Sequence, residues 1–182
     1  MSEIRTILAE IESVMKKVNE SQIEAVTSAF QSNKRIFVVG EGRSGLMAKS
    51  FAMRLMHLSA NVYVVGETIT PSIAEDDLLI AVSGSGTTKN VVWVAEKAKE
   101  LNCFVIGVTT NPESPLAHAA SSILHVPAAT KYRRDGELKS IQPLGSLFDQ
   151  CVHILFDTIC LRYAALKEVD NNQAFSKHSN LE

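Results

Sequence analysis

"VVGEGRSGLMAKS", residues 38–50, leaves an apolar strand through Gly40, Gly42 and Gly45 and enters a segment with helical periodicity. The glycines satisfy G-x-G-x-x-G, and Glu67 closes a second apolar run about twenty residues on, the spacing of a dinucleotide fingerprint. A dehydrogenase built on that fingerprint also needs a substrate domain. Once one sheet and its helices are counted, the 182 residues leave almost no chain for one.

Working outward, five short runs are rich in β-branched or aromatic residues: "RIFVV" (35–39), "NVYVV" (61–65), "LLIAV" (78–82), "FVIGV" (104–108) and "ILHV" (123–126). Most are separated by segments of helical periodicity, notably 44–58 and 87–101. The strands are nearly continuous in apolar character instead of alternating, which predicts a parallel sheet covered on both faces. Ahead of them, Ile4, Ile7, Leu8, Ile11, Val14 and Met15, then Val18, Ile23, Val26, Ala29 and Phe30, recur at helical steps with a break at 19–22. Two amphipathic helices come first. The last long segment, "GSLFDQCVHILFDTICLRYAALKE" (145–168), is apolar almost all round, so it should be buried on more than one side, and a subunit interface accounts for that. The expected architecture is α/β, a three-layer sandwich with a five-stranded parallel sheet flanked by helices. The chain reads as one domain over 1–182, with N-terminal helices at 1–34, the α/β core at 35–166 and a tail at 167–182.

Charge narrows the partners. With 18 Lys and Arg against 20 Asp and Glu, the net charge is −2 and the basic residues are dispersed, so the field that attracts nucleic acid or anionic lipid is missing. "ATKYRRDGELKS" (129–140) carries Lys131, Arg133, Arg134 and Lys139, but Asp135 and Glu137 intervene, and it reads as a solvated loop. Cys103, Cys151 and Cys160 sit in apolar runs without C-x-x-C spacing and read as reduced core residues. No run approaches the ~20 apolar residues of a bilayer span, and the first residues lack a leader pattern, so the expected location is cytoplasmic, with no membrane and no nucleic acid as partner.

The third strand runs straight into "SGSGTTKN" (83–90) and then a helix. Ser83, Ser85, Thr87 and Thr88 supply hydroxyls, and Gly84 and Gly86 let the backbone come close at a helix N-terminus, a cradle suited to a phosphate monoester. Arg43 and Ser44, at the end of the first strand, should face the same crevice, because ligands in open α/β sheets bind beyond the strand carboxyl ends. The first loop then handles the sugar.

"GEGRSG", "SGSGTT" and "QPLGSLFD" resemble the sugar isomerase (SIS) domain across nearly the whole chain. Within that superfamily, "GRSGLMAKSFAMRLMHL", "GETITPSIAEDDLLIAVSGSG", "IQPLGSLFDQ" and the terminal "HSNLE" resemble the 6-phospho-3-hexuloisomerase family. The resemblance implies a flavodoxin-like strand order and a homotetramer. It also implies interconversion of D-arabino-hex-3-ulose 6-phosphate and D-fructose 6-phosphate in the ribulose monophosphate route of formaldehyde fixation. That chemistry passes a proton through a 2,3-enediol and calls for no cofactor and no metal. Two departures stand out: Thr87 occupies a position where relatives often carry Glu, and Asp149 is one methylene shorter than the Glu that relatives tend to carry.

Asp149, directly after "PLGSLF", is the expected acid/base, and the resemblance places a carboxylate there. Arg43 is expected to steady the enediolate. His178 is expected to polarise O2 or O3 or to open a ring, since a related branch of the superfamily places a functional His late in the chain, contributed across a subunit boundary. His57, closing "RLMHL", is the remaining catalytic candidate. His118 and His125 read as structural, and Asp149, His153 and Asp157, at i, i+4 and i+8, read as a polar stripe and not a metal site. The phosphate loop sees only the common end of a sugar phosphate. An isomerase of another phosphosugar, or a non-catalytic sugar phosphate sensor, is therefore the alternative.

Overall fold

The computed structural model describes residues 2–32, 35–135 and 137–181. Five strands, β1 (Ile36–Gly40), β2 (Val62–Val64), β3 (Leu78–Val82), β4 (Phe104–Thr109) and β5 (Ser122–His125), pair in parallel in the order β2-β1-β3-β4-β5. Side chains of a strand alternate between faces. Here both faces are covered, so every residue of β3 is buried and the apolar runs need no polar alternation. Ile36, Val38, Leu78, Ile80 and Val82 pack into one core with α1 (Glu3–Met15), α2 (Glu20–Ser32), α3 (Gly42–His57) and α6 (Ser146–Leu166). Phe37, Val39, Leu79 and Ala81 pack into the other with α4 (Lys89–Glu100) and α5 (Pro115–Ala119). The expected three layers and flavodoxin-like order are observed.

The register puts Ile36 beside Leu78 and Gly40 beside Val82, so β1 and β3 end level and their loops leave side by side. The strand order reverses at this point, and a crevice opens there. The glycine pattern of the first loop has a packing cause. A Cβ on Gly45 would lie 2.6 Å from the Gly40 carbonyl oxygen, so the first turn of α3 can pass the end of β1 only without a side chain. Gly42 has φ +57 and starts the helix in a left-handed conformation. Strand–helix contact thus accounts for these glycines without a nucleotide.

Helix α6 is tied to the layer by aromatic contacts, Phe156 stacking on Phe51 at 4.1 Å, while Tyr163 meets Phe30 edge-on at 5.6 Å. Its outer side is not covered by its own chain, where Ile154 and Leu161 are exposed. All three cysteines are free and buried, and burial pushes the Cys151 and Cys160 thiols up to about 12.

The 129–140 segment is the expected loop, exposed at 131–135 and 139, but its start, Thr130 and Lys131, lines the cavity described below. Thr130 is buried and donates through its amide (2.8 Å) and hydroxyl (2.7 Å) to the Glu137 carboxylate, while Arg133 donates to the Gln142 carbonyl. Of its charges, Glu137 and Arg133 make these bonds, while Lys131, Arg134, Asp135 and Lys139 are exposed. The tail also has structure. Asp170 and Gln173 form a reciprocal capping box at α7 (Asn171–Phe175), and the chain beyond brings His178 against His57.

Gly45→Ala should lower the free energy of unfolding by about 1–3 kcal/mol through overpacking of backbone against backbone. Gly42→Ala, with open space around its Cβ, should cost only about 1–2 kcal/mol, for its left-handed conformation. Urea denaturation of both variants measures the difference.

Candidate active site

Three helices begin at one cavity. The N-cap positions of α3, α4 and α6 are Glu41, Thr88 and Gly145, and among the described residues none is capped by a side-chain hydrogen bond. Their first-turn amides and positive dipole ends therefore converge on the crevice, an arrangement that favours negative charge there. The cavity measures about 540 Å³, in the range of small-molecule sites. Arg43, Ser44, Gly84, Ser85, Thr88, Lys131, Ser146 and Asp149 are among the residues on its wall.

The loop after β3 is braced from within. Ser83 Oγ and Thr88 Oγ1 lie 2.8 Å apart, which turns Thr88 away from capping α4, and Ser85 Oγ meets Thr87 Oγ1 at 2.9 Å. The Gly84 carbonyl accepts from the Thr110 amide (3.1 Å) and hydroxyl (2.8 Å), fixing the loop to the end of β4. Gly86 has φ +67, and a Cβ there would sit 2.0 Å from Ser114 Oγ. Of the six residues expected to hold phosphate, Gly84, Ser85 and Thr88 line the cavity. Ser83 and Gly86 are buried outside the lining, and Thr87 is exposed beside it.

Opposite this loop stands Asp149, only 5% exposed in the first turn of α6. Its Oδ1 accepts from Ser44 Oγ at 2.7 Å, and Arg43 Nε lies 3.5 Å from Oδ2. Arg43 also donates to Ser146 Oγ at 3.2 Å, bridging the first turns of α3 and α6. Burial raises the Asp149 carboxyl above the ordinary carboxylate range, and the Ser44 bond and Arg43 charge offset only part of that. A desolvated carboxylate facing a fixed cation at the N-termini of three helices has the surroundings of a proton-transfer group.

The histidines lie elsewhere in this chain. His57 is at the far end of α3, roughly 20 Å along the helix from Ser44. It is buried, its Nδ1 has no hydrogen-bond partner among the described residues, and its ring stacks on His178 at 5.4 Å with 7° between planes. Burial first, then Arg54 and His178, holds the His57 imidazole below its ordinary value. His125 contacts the Thr110 carbonyl through Nε2 at 3.0 Å, and the His118 carbonyl accepts from Lys99. His153 pairs with Asp157 at 3.6 Å on the exposed side of α6, away from buried Asp149. Glu67 accepts from Lys49 at 2.7 Å on the surface.

Several wall residues were not singled out from the sequence. Ser146 and Phe148 stood inside the quoted "GSLFD", but nothing marked them as facing Arg43 and Gly84. Phe148 lies so close under Gly84 that a Cβ there would be 3.0 Å from its ring. Glu41 contributes a carboxylate to the wall and accepts from Asn90 Nδ2 at 2.7 Å, joining the first loop to α4. Thr130 and Lys131 join the wall where the chain leaves β5.

The doubly covered parallel sheet with a crevice at its switch point belongs to a known class. Residues 29–154 match the SIS domain family, and the chain belongs to that family. Among its relatives, the 3-hexulose-6-phosphate isomerase of Bacillus subtilis is 41% identical over 98% of this chain and 97% of its own length. The enzyme of the same name from Mycobacterium gastri is 39% identical over 95% of this chain and 86% of its own. A protein from Methanococcus jannaschii, whose crystal structure infers a molecular function of 3-hexulose-6-phosphate isomerase, superposes with a TM-score of 0.87 at 31% identity, covering 100% of both chains.

Folded Asp149 keeps its proton to a higher pH than in the unfolded chain, so its contribution to stability is present below the unfolded value and is lost as pH rises through the folded one. Asp149→Asn should therefore melt at a higher temperature than the parent at pH 7, with the gap closing toward pH 3. Calorimetry across that range measures it.

Proposed function

We infer that this protein is a 6-phospho-3-hexuloisomerase, interconverting D-arabino-hex-3-ulose 6-phosphate and D-fructose 6-phosphate, and that it works as one SIS unit over its length. The observation that carries the reading is the buried, Ser44-bonded Asp149 carboxylate, held beside Arg43 in a cavity where three helix N-termini meet. The relatives' shared activity supplies the substrate.

In this reading the phosphate rests on the 83–88 loop and the amides of the first turn of α4, leaving the carbonyl end of the sugar at Asp149. Asp149 takes the proton from C2 of the 3-ketose, so the double bond forms between C2 and C3, and returns it to C3 while the proton of the O2 hydroxyl passes to O3, which moves the carbonyl by one carbon. Negative charge develops on the ketone oxygen, and Arg43, already held beside Asp149, balances it. Ser44 fixes the orientation of the carboxylate that does the transfer. The base, though one methylene shorter than in relatives, is buttressed at the cavity wall and is not left to reach from a distance.

His178 completes the reading by polarising O2 or O3, with His57 beside it, from a neighbouring copy of the chain. The stacked pair lies too far from Asp149 of its own chain to touch the same ligand. Leu46, Met53 and Met56 on α3 and Ile154 and Leu161 on α6 are exposed, which supports a homo-oligomer, and we read it as a tetramer. Among the described residues no helix is long and apolar enough to cross a membrane, and we place the enzyme in the cytoplasm.

Fructose 6-phosphate incubated with the enzyme in D2O should gain deuterium at C3, read by NMR. Exclusive labelling at C1 would mean aldose–ketose chemistry and would overturn the hexulose assignment. Asp149→Asn should lose about 10²- to 10⁴-fold in turnover while keeping ligand affinity within a few-fold. The acid limb of kcat/KM should lie above the ordinary carboxylate range, and Ser44→Ala should move it further up, because that hydroxyl stabilises the ionised form. A limb that stays put in Ser44→Ala would assign the titration to another group.

A further inference from the structure

Glu10 sits on the N-terminal helix α1, remote in sequence from every residue of the site. Its carboxylate nevertheless takes three hydrogen bonds from the segment that leads into the cavity wall. Oε2 accepts from Ser140 Oγ at 2.8 Å and Gln142 Nε2 at 3.0 Å, and Oε1 accepts from the Ile141 amide at 2.7 Å. Ser140 Oγ in turn accepts from the Gln142 amide at 3.0 Å, and the Gln142 carbonyl accepts from Arg133. The Gln142 side chain is buried, so its amide needs this partner.

Pro143, Leu144 and Gly145 follow directly and line the cavity. Leu144 has φ 53, a conformation that a bulky residue holds only when its neighbours impose it. The next residues are Ser146, which accepts from Arg43, and the first turn of α6, where the Asp149 amide donates to the Gly145 carbonyl at 3.1 Å. One carboxylate of α1 thus makes all three of these hydrogen bonds to the segment.

We propose that Glu10 is a positioning residue for the active site, a carboxylate clamp that fixes 140–142 and thereby sets where Ser146, Arg43 and Asp149 stand at the carbonyl end of the substrate. The N-terminal helix then serves the site as well as the core. Burial works against ionisation of Glu10, but the bonds from Gln142, Ile141 and Ser140, with Arg133 nearby, outweigh it and hold its carboxyl below the ordinary range. The clamp is thus anionic at neutral pH. The phosphate cradle belongs to the β3–α4 connection and is not touched by it, so the two ends of the ligand should respond differently.

The effect on turnover rests on the isomerase reading, but the clamp itself does not, and the test separates them. In Glu10→Ala, hydrogen exchange of peptides across 138–148 should quicken at least about 10-fold, kcat should fall about 10- to 100-fold, and competitive inhibition by inorganic phosphate should stay within about 2-fold. Glu10→Gln, which keeps one acceptor, should fall between. Glu12→Gln, altering an exposed residue paired with Lys16, should match the parent. A double variant with Ser140→Ala should be no worse than Glu10→Ala alone, since both remove one clamp. Should Glu10→Ala fail to fold, Glu10→Gln and Ser140→Ala carry the same readouts. Unchanged exchange at 138–148 overturns the clamp. Faster exchange with unaltered kcat per folded molecule, at a lower melting temperature, makes Glu10 merely structural and overturns the positioning role. A parent inactive on fructose 6-phosphate overturns the isomerase reading and leaves the exchange result to judge the clamp.

Discussion

Burial of the central strands on both faces is the constraint from which the arrangement of this protein follows. A strand such as Leu78–Val82, apolar at every position, is stable only between two layers of helix. Covering both faces demands crossover connections, and crossovers make every strand run the same way. All strand carboxyl ends then meet one edge, and the helices that follow begin there. The same apolar runs that build the core therefore deliver the N-termini of α3 and α4 to one place, and the return of the chain after β5 adds that of α6.

Within that edge, close approach decides what chemistry fits. Gly45 lets α3 start against the end of β1, Gly86 lets the next loop fold onto Ser114, and the two loops come near enough to share a ligand. Asp149 is buried at the point where they meet. An ionised carboxylate there is opposed by burial and supported by Ser44 and Arg43, and the opposition wins in part. A group held in that balance is costly to the fold and useful to proton transfer, the usual trade between stability and activity. The loop after β3 is held from within by the internal hydroxyl pairs and by the anchored Gly84 carbonyl.

The two ends of α3 illustrate how one element can serve separate sites. Its first turn carries Arg43 and Ser44 into the cavity, while its last turn presents His57 to the tail. Rigid helix geometry keeps these ends apart in one chain. Any shared role depends on association of copies, for which the exposed apolar side chains of α3 and α6 provide a surface.

The sheet, its two-sided burial, the glycine turn and the place of the hydroxyl loop at the cavity were legible in the sequence, because each is a local pattern: continuous apolar runs, G-x-G-x-x-G, and hydroxyls alternating with glycine before a helix. Asp149 and Arg43 were legible as chemistry next to such patterns and through the resemblance. The partners that give them their character were not. That Ser44 bonds Asp149, that Ser146 receives Arg43, and that Thr130 and Lys131 join the wall are contacts between segments far apart in the chain. The charged 129–140 tract is exposed at 131–135 and 139, as its composition suggested, but nothing in the sequence marked Thr130 as buried against Glu137. Sequence alone determined which segments must be buried and which loops could receive a phosphate, because hydrophobic period and backbone freedom are properties of neighbouring residues. Only the tertiary structure decided which carboxylate is desolvated, what holds it and where the histidines end up, because desolvation and hydrogen bonding depend on what the fold brings alongside.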